Sequence, residues 1–151
     1  MDKSTAAELL RQKFPAHVQC AEVFRGETTV TIAKEKLREV MEFLKEDKDT
    51  LYDLLVDLAG VDLGCGSPRF QVVYHLCAMR TRLRLRLKVT LADGVPRVAS
   101  VVSVWKGANW LEREAFDMFG ITFAEHPDLR RILLTPDWEG HPLRKDYPLQ
   151  G

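Results

Sequence analysis

The sequence predicts an α+β two-layer domain, with helices packed on one face of a mixed or antiparallel sheet, followed by an extended C-terminal arm. Three observations carry this. Apolar residues recur with helical period near residues 37–44 and again from residue 108, polar and apolar residues alternate strictly over 80–89, and periodicity fades after Phe123 while proline steps accumulate. The 151 residues, 46% hydrophobic and 29% charged, suffice for one domain with a real core. We divide the chain into a platform at residues 1–123 and a partner-binding arm at 124–151.

Thr5-Ala-Ala-Glu8 is a capping box, and Leu9, Leu10 and Phe14 give the first helix its apolar side before Pro15 ends it. Two strand-like runs, Val18 to Phe24 and Thr28 to Ile32, flank an Arg25-Gly26-Glu27 turn in which Gly26 takes positive φ. Leu37, Val40, Met41 and Leu44 fall at i, i+3, i+4 and i+7 with charges opposite, an amphipathic helix. Leu51 to Asp62 reads as a short helical turn leading into a buried strand, and Gly64 to Pro68 as a loop. Arg69 to Met79 and Thr81 to Leu91 are long strands, Asp93-Gly94 a turn, and the valine-rich Val98 to Val104 a last strand. A helix starts at Ala108, and Gly120 stands where it should stop. His126-Pro127, Thr135-Pro136 and His141-Pro142 then mark the arm.

Composition narrows the function classes. Lys+Arg and Asp+Glu balance at 22 each, so no global charge draws the chain to nucleic acid or to an anionic membrane. Cys20, Cys65 and Cys77 form no C-x-x-C pair, so cysteine alone builds neither a zinc site nor an iron–sulfur cluster. They read as small core hydrophobes in a reduced, cytosolic compartment. The N-terminal M-D-K-S-T-A-A-E lacks a signal peptide's apolar run, and no stretch approaches the roughly 20 apolar residues of a membrane span. Membrane association is therefore expected only through another protein. No glycine-rich turn after a strand offers a phosphate loop.

Arg80, Arg82, Arg84, Arg86 and Lys88 alternate with apolar or small residues, which in a strand puts every cation on one face. Intramolecular pairing on a solvated face, docking to an acidic partner, and a nucleic-acid groove are the open readings; no aromatic interleaves to stack bases. On the helix from Ala108, Glu114 and Asp117 are i,i+3 neighbours and Arg113 and Asp117 an i,i+4 pair. Paired carboxylates suit acid–base chemistry if burial splits their pKa values, though on a helix they are more often solvated. Glu114 and Asp117, with His126 or His141, thus define a stand-alone enzyme as the alternative function. The histidines match no metal motif and fit turn roles beside Pro127 and Pro142, and no serine or cysteine stands as a nucleophile. On the arm, Arg130, Arg131, Arg144 and Lys145 stand among Asp128, Asp137, Glu139 and Asp146, with Trp138, Leu143 and Tyr147 between them. Arginine forks with aromatic anchors are what protein interfaces favour at their centres. The partner-interface candidates are Arg130, Arg131, Trp138, His141, Arg144, Lys145, Asp146 and Tyr147, on a segment expected to become rigid by lying across something else.

Glu112, Arg113, Glu114, Asp117, Met118, Phe119, His126, Arg130, Ile132 and Leu133 stand at spacings that resemble the signature of the respiratory-chain NADH dehydrogenase 30 kDa subunit family. Asp137 to Pro148, D-W-E-G-H-P-L-R-K-D-Y-P, resembles its second hallmark, and the runs at Val56, Phe70 and Trp105 are also similar. The resemblance covers residues 50–150 and is looser before them. It implies a non-catalytic peripheral-arm subunit of complex I, a proton-translocating NADH:quinone oxidoreductase, on the cytoplasmic side of the membrane. In that family the chain binds no cofactor of its own; FMN, iron–sulfur clusters and quinone belong to partner subunits. The implied partners are the large D-type subunit, of the forty-nine-kilodalton type, and neighbouring iron–sulfur subunits. The same subunit type occurs in membrane-bound energy-converting hydrogenases and related dehydrogenases.

Overall fold

The computed structural model describes residues 5–64, 69–91, 96–135 and 137–145. Its elements run α1 (Thr5–Lys13), β1 (Val18–Phe24), β2 (Glu27–Ile32), α2 (Leu37–Glu46), β3 (Leu54–Asp62), β4 (Phe70–Ala78), β5 (Leu83–Leu91), β6 (Arg97–Ala99), α3 (Ala108–Phe119) and β7 (Thr122–Ala124). Five strands form a mixed sheet in the order β1-β2-β5-β4-β3, antiparallel except for the parallel β2/β5 pair, while β6 and β7 form a separate parallel pair. This is the α+β two-layer architecture that the periodicities predict.

The layers follow from alternation. Val30, Ile32, Phe70, Val72, Tyr74, Leu76, Leu85, Leu87 and Val89 point from the sheet into one core with Leu10 of α1 and Leu37, Val40, Met41 and Leu44 of α2. The opposite parity, including His75, Arg84, Arg86 and Lys88, forms the other face, which no second layer covers among the described residues. Arg25 and Gly26 both take positive φ (51° and 81°) between the paired Phe24 and Glu27, the combination a two-residue primed hairpin turn requires. Gly120 ends α3 in the left-handed region (φ 76°), as expected.

Several expectations need correction. β5 begins only at Leu83, so Arg80 and Arg82 sit in the turn that links it to β4, with Arg82 at φ 61°; only Arg84, Arg86 and Lys88 share the open face. Arg86 pairs there with Glu27 at 2.7 Å. Val98 to Val104 is a strand only to Ala99. After it the backbone turns through Val101–Val104, and Val101 and Val104 are buried from loop positions. Cys20 is exposed and Cys77 half-buried, because both fall on the open-face parity of their strands rather than in the core. The turn falls before Leu51, where the N–H groups of Thr50 and Leu51 donate to Asp47 O at 3.1 and 2.8 Å, and the strand that follows, β3, is a largely uncovered edge strand rather than a buried one. The Thr5 side chain of the capping box, Cys65, the Asp93-Gly94 turn, Asp146 and Tyr147 lie outside the described residues. No described helix is long and apolar enough to cross a membrane.

Candidate functional site

α3 is built to bury acids. Ala108, Glu112 and Ala115 recur at helical spacing on the face turned to the core, and Asp117 is covered from the other side by residues 131–134. Both carboxylates are fully buried, whereas Glu114 between them is exposed. The solvated carboxylate pair and the Arg113–Asp117 ion pair are therefore corrected. Glu114 and Asp117 face different surroundings, and Arg113 instead donates to the carbonyls of Arg130 and Arg131 at 3.2 and 3.3 Å.

Asp117 organises the arm. Its Oδ1 takes Arg131 Nη1 at 2.6 Å, and its Oδ2 takes the backbone N–H groups of Ile132, Leu133 and Leu134 at 3.2, 2.8 and 2.9 Å. Burial pushes the carboxyl up, but Arg131 and the three N–H donors outweigh it and hold Asp117 below the ordinary carboxylate range. The carbonyls at the end of α3, which the helix itself cannot satisfy, are taken one by one. Arg131 Nη1 and His141 Nδ1 reach Asp117 O at 3.2 and 3.0 Å, Leu143 N–H reaches Met118 O at 3.0 Å, and Arg144 Nε reaches Phe119 O at 2.6 Å. A carbonyl only accepts, so His141 carries its proton on Nδ1. Two guanidinium groups at a helix C-terminus also complement its dipole.

Asp62, at the end of β3, makes a second knot. Arg69 forks onto both its oxygens at 2.9 and 2.8 Å, and the N–H groups of Gly64 and Lys145 donate at 2.9 and 2.7 Å. The Arg69 hydrogen bonds above all hold its carboxyl far below the ordinary range. Sequence reasoning placed Asp62 only within a strand. The cation seven positions on is the signal that could have singled it out.

Glu112 is the third. Ser100 Oγ–H donates to Oε1 at 2.5 Å and Val101 N–H to Oε2 at 2.8 Å, which fixes the loop after β6 against α3. Burial dominates and raises its pKa from 4.5 to about 7, with Ser100, Val101 and the charge of Arg38 opposing. His126 stands with Nε2 4.0 Å from Glu112 Oε1. Asp128 N–H donates to its Nδ1 (2.9 Å), so the ring proton sits on Nε2 and is shared with Asn109 O at 3.2 Å. Tyr74 Oη is buried with no hydrogen-bond partner, and burial followed by the charge of Glu112 keeps its hydroxyl well above the usual phenol range.

The remaining predicted residues divide by exposure. Arg130 pairs with Asp128 at the surface (2.8 Å), Met118, Phe119 and Ile132 are half-buried, and Leu133, Trp138 and Lys145 are exposed. Arg144 stacks over Phe70 with its guanidinium carbon 5.0 Å from the ring centre. Ser100, which holds Glu112, carried no signal of its own in the sequence.

A family model described as the respiratory-chain NADH dehydrogenase, 30 kDa subunit, matches residues 30–151. The chain belongs to the respiratory-chain NADH dehydrogenase 30 kDa subunit family. All three knots and the whole described arm fall within that match. Among its relatives, the NADH-quinone oxidoreductase C subunit of Geobacter sulfurreducens is 50% identical over 99% of this chain and 92% of that protein. The protein of the same name from Roseiflexus sp. is 46% identical over 99% of this chain and 86% of its own length. Among solved structures, a trypsin-resistant fragment of Nqo5 superposes with a TM-score of 0.68 at 29% identity, covering 83% of this chain and all of the fragment. A chain of the membrane-bound sulfane sulfur reductase, an archaeal respiratory membrane complex, shares the fold with a TM-score of 0.80 at 21% identity, over 95% of this chain and 84% of that one. This family member is thus a C-type subunit of the complex I family.

Each of these carboxylates ties separate segments of the chain together. Both oxygens of Asp117 are already engaged, and Glu112 is sealed from solvent. Among the described residues no group of three or more His, Cys, Asp and Glu side chains could hold a metal ion.

Proposed function

We propose that the chain is a non-catalytic structural subunit of the peripheral arm of a proton-translocating NADH:quinone oxidoreductase, on the cytoplasmic side of the membrane, bracing the quinone-reducing module. Its partners in this reading are the large D-type subunit and neighbouring iron–sulfur subunits. FMN, clusters and quinone sit in those partners and none in this chain.

One observation carries the reading. Arg131, His141, Arg144 and the Lys145 N–H of the arm are engaged inward, on the end of α3 and on Asp62, while Trp110, Leu133, Trp138 and Leu143 remain exposed. A surface of large apolar groups held rigid by buried charge pairs suits a permanent protein contact, because little entropy is left to lose on association. The solvated Glu114, and an Asp117 whose two oxygens both accept hydrogen bonds within the chain, favour this reading over a stand-alone acid–base enzyme.

The test is purification of the native assembly through an affinity tag on this chain, from membranes solubilised in mild detergent. The reading predicts co-elution with the large D-type subunit and cluster-bearing subunits, together with NADH:quinone reductase activity. Recovery of the chain alone, or turnover by the purified chain without partners, would contradict it.

A further inference from the structure

β3 is an edge strand of the sheet, and α3 runs beside it with a cleft of about 240 Å³ between them. The floor is apolar: Leu58, Leu111, Met118, Phe119 and Leu143 line it. Gly60 lets the helix come this close, since a Cβ there would stand 2.8 Å from the Phe119 ring. Two carboxylates, Asp57 and Glu114, line the cleft without an ion pair among the described residues, although Asp57 also borders a depression on the open face with His75, Arg84 and Arg86. Leu54 and Val56 on the same strand and Leu63 just after it are each more than two-fifths exposed, and Leu143 is 55% exposed at the mouth. An edge strand carrying uncovered large apolar groups is what proteins avoid unless something covers it.

The chemistry of the cleft selects the occupant. Its volume lies below the roughly 300–1,000 Å³ of small-molecule pockets, which suits a side-chain anchor better than a free ligand. The carboxylates of its lining repel phosphate groups, which disfavours nucleic acid and anionic headgroups. They attract lysine or arginine.

We propose that this cleft docks a segment of a partner protein that inserts an apolar side chain between β3 and α3 and sets an adjacent lysine or arginine against Asp57 and Glu114. The proposal rests on the subunit reading above and names the kind of segment that meets this face. Electrostatic complementarity of this type fixes register and partner choice.

Two measurements on the native complex test it. First, a photo-crosslinking amino acid at position 143 should capture a partner segment with an apolar residue within two positions of a lysine or arginine. A control at Glu46, on α2, should not capture that segment. Second, D57N/E114R, co-expressed with wild type at equal level, should enter the complex at least tenfold less, while Glu46→Arg enters equally. Asp57→Asn keeps the oxygen that accepts Leu58 N–H (2.9 Å), and Glu114 is exposed, so the variant should melt like wild type. Equal incorporation, a crosslink to a segment without a cation or to a second copy of this chain, or no crosslink although the chain is in the complex, would each overturn the proposal and leave the subunit reading standing. Failure to recover the chain in any complex would overturn both.

Discussion

Arg131 reaches back fourteen positions to place Nη1 2.6 Å from Asp117 Oδ1, and both side chains are largely or wholly withdrawn from water. That pair, with the three N–H groups on Oδ2, converts the end of α3 into the anchor for everything after it. Removing one member of a buried pair strands the other, which costs about 3–5 kcal/mol. Asp117→Ala should lose stability of that order in urea unfolding, and trypsin should then cut at Arg130 and Arg131 in the otherwise folded protein. Arg130→Ala, whose pair with Asp128 is exposed, should stay within about 0.5 kcal/mol of wild type.

The buried acids give the protein two opposite pH responses. Glu112 is raised from 4.5 to about 7 in the folded state, so folding takes up a proton between those values. The stability it contributes is complete below about pH 4.5 and lost as pH rises to 7, on the order of 3 kcal/mol. Asp62 and Asp117 are depressed from 3.8, so their contribution is present above that value and lost as pH falls further. Thermal denaturation should therefore show greatest stability in mildly acidic buffer. Glu112→Gln should flatten the limb between pH 4.5 and 7 while leaving the acid limb in place.

Gly120 is pinned by backbone and by neighbours. At φ 76° a side chain is strained, and a Cβ would stand 2.6 Å from Arg144 Nη2 and 2.7 Å from His141 Cδ2. Gly120→Ala should cost about 1–2 kcal/mol from backbone strain alone, and more as the arm lifts off Phe119 O. Gly107→Ala, with φ −62° and nothing within 4 Å of the added carbon, should leave the melting temperature almost unchanged.

Much of the fold was legible because it rests on local period. The 37–44 stripe, the residue 108 helix start, the Gly120 stop and the 18–32 hairpin stand where the pattern put them. The errors at α3 and after β6 share a cause: burial supplied by distant chain. Glu112 and Asp117 look like solvent-facing helix acids until Ser100 and residues 131–134 close over them. Val101 and Val104 are valine-rich strand in sequence, yet tertiary packing buries them from a turn. The arm has no helix or strand after Ala124 among the described residues, as its proline steps suggest. What the pattern could not convey is that its cations fold back on α3 rather than all pointing outward.

The arm is ordered by its own chain before any partner arrives. Amide hydrogen exchange of Ile132, Leu133 and Leu134 in the isolated protein tests it most directly, since all three N–H groups end on Asp117 Oδ2. Strong protection is expected in wild type and should collapse in Asp117→Asn, whose amide has one acceptor oxygen and is uncharged. Exchange at the unfolded-chain rate in wild type would contradict it, and would mean that the arm takes its order from the partner.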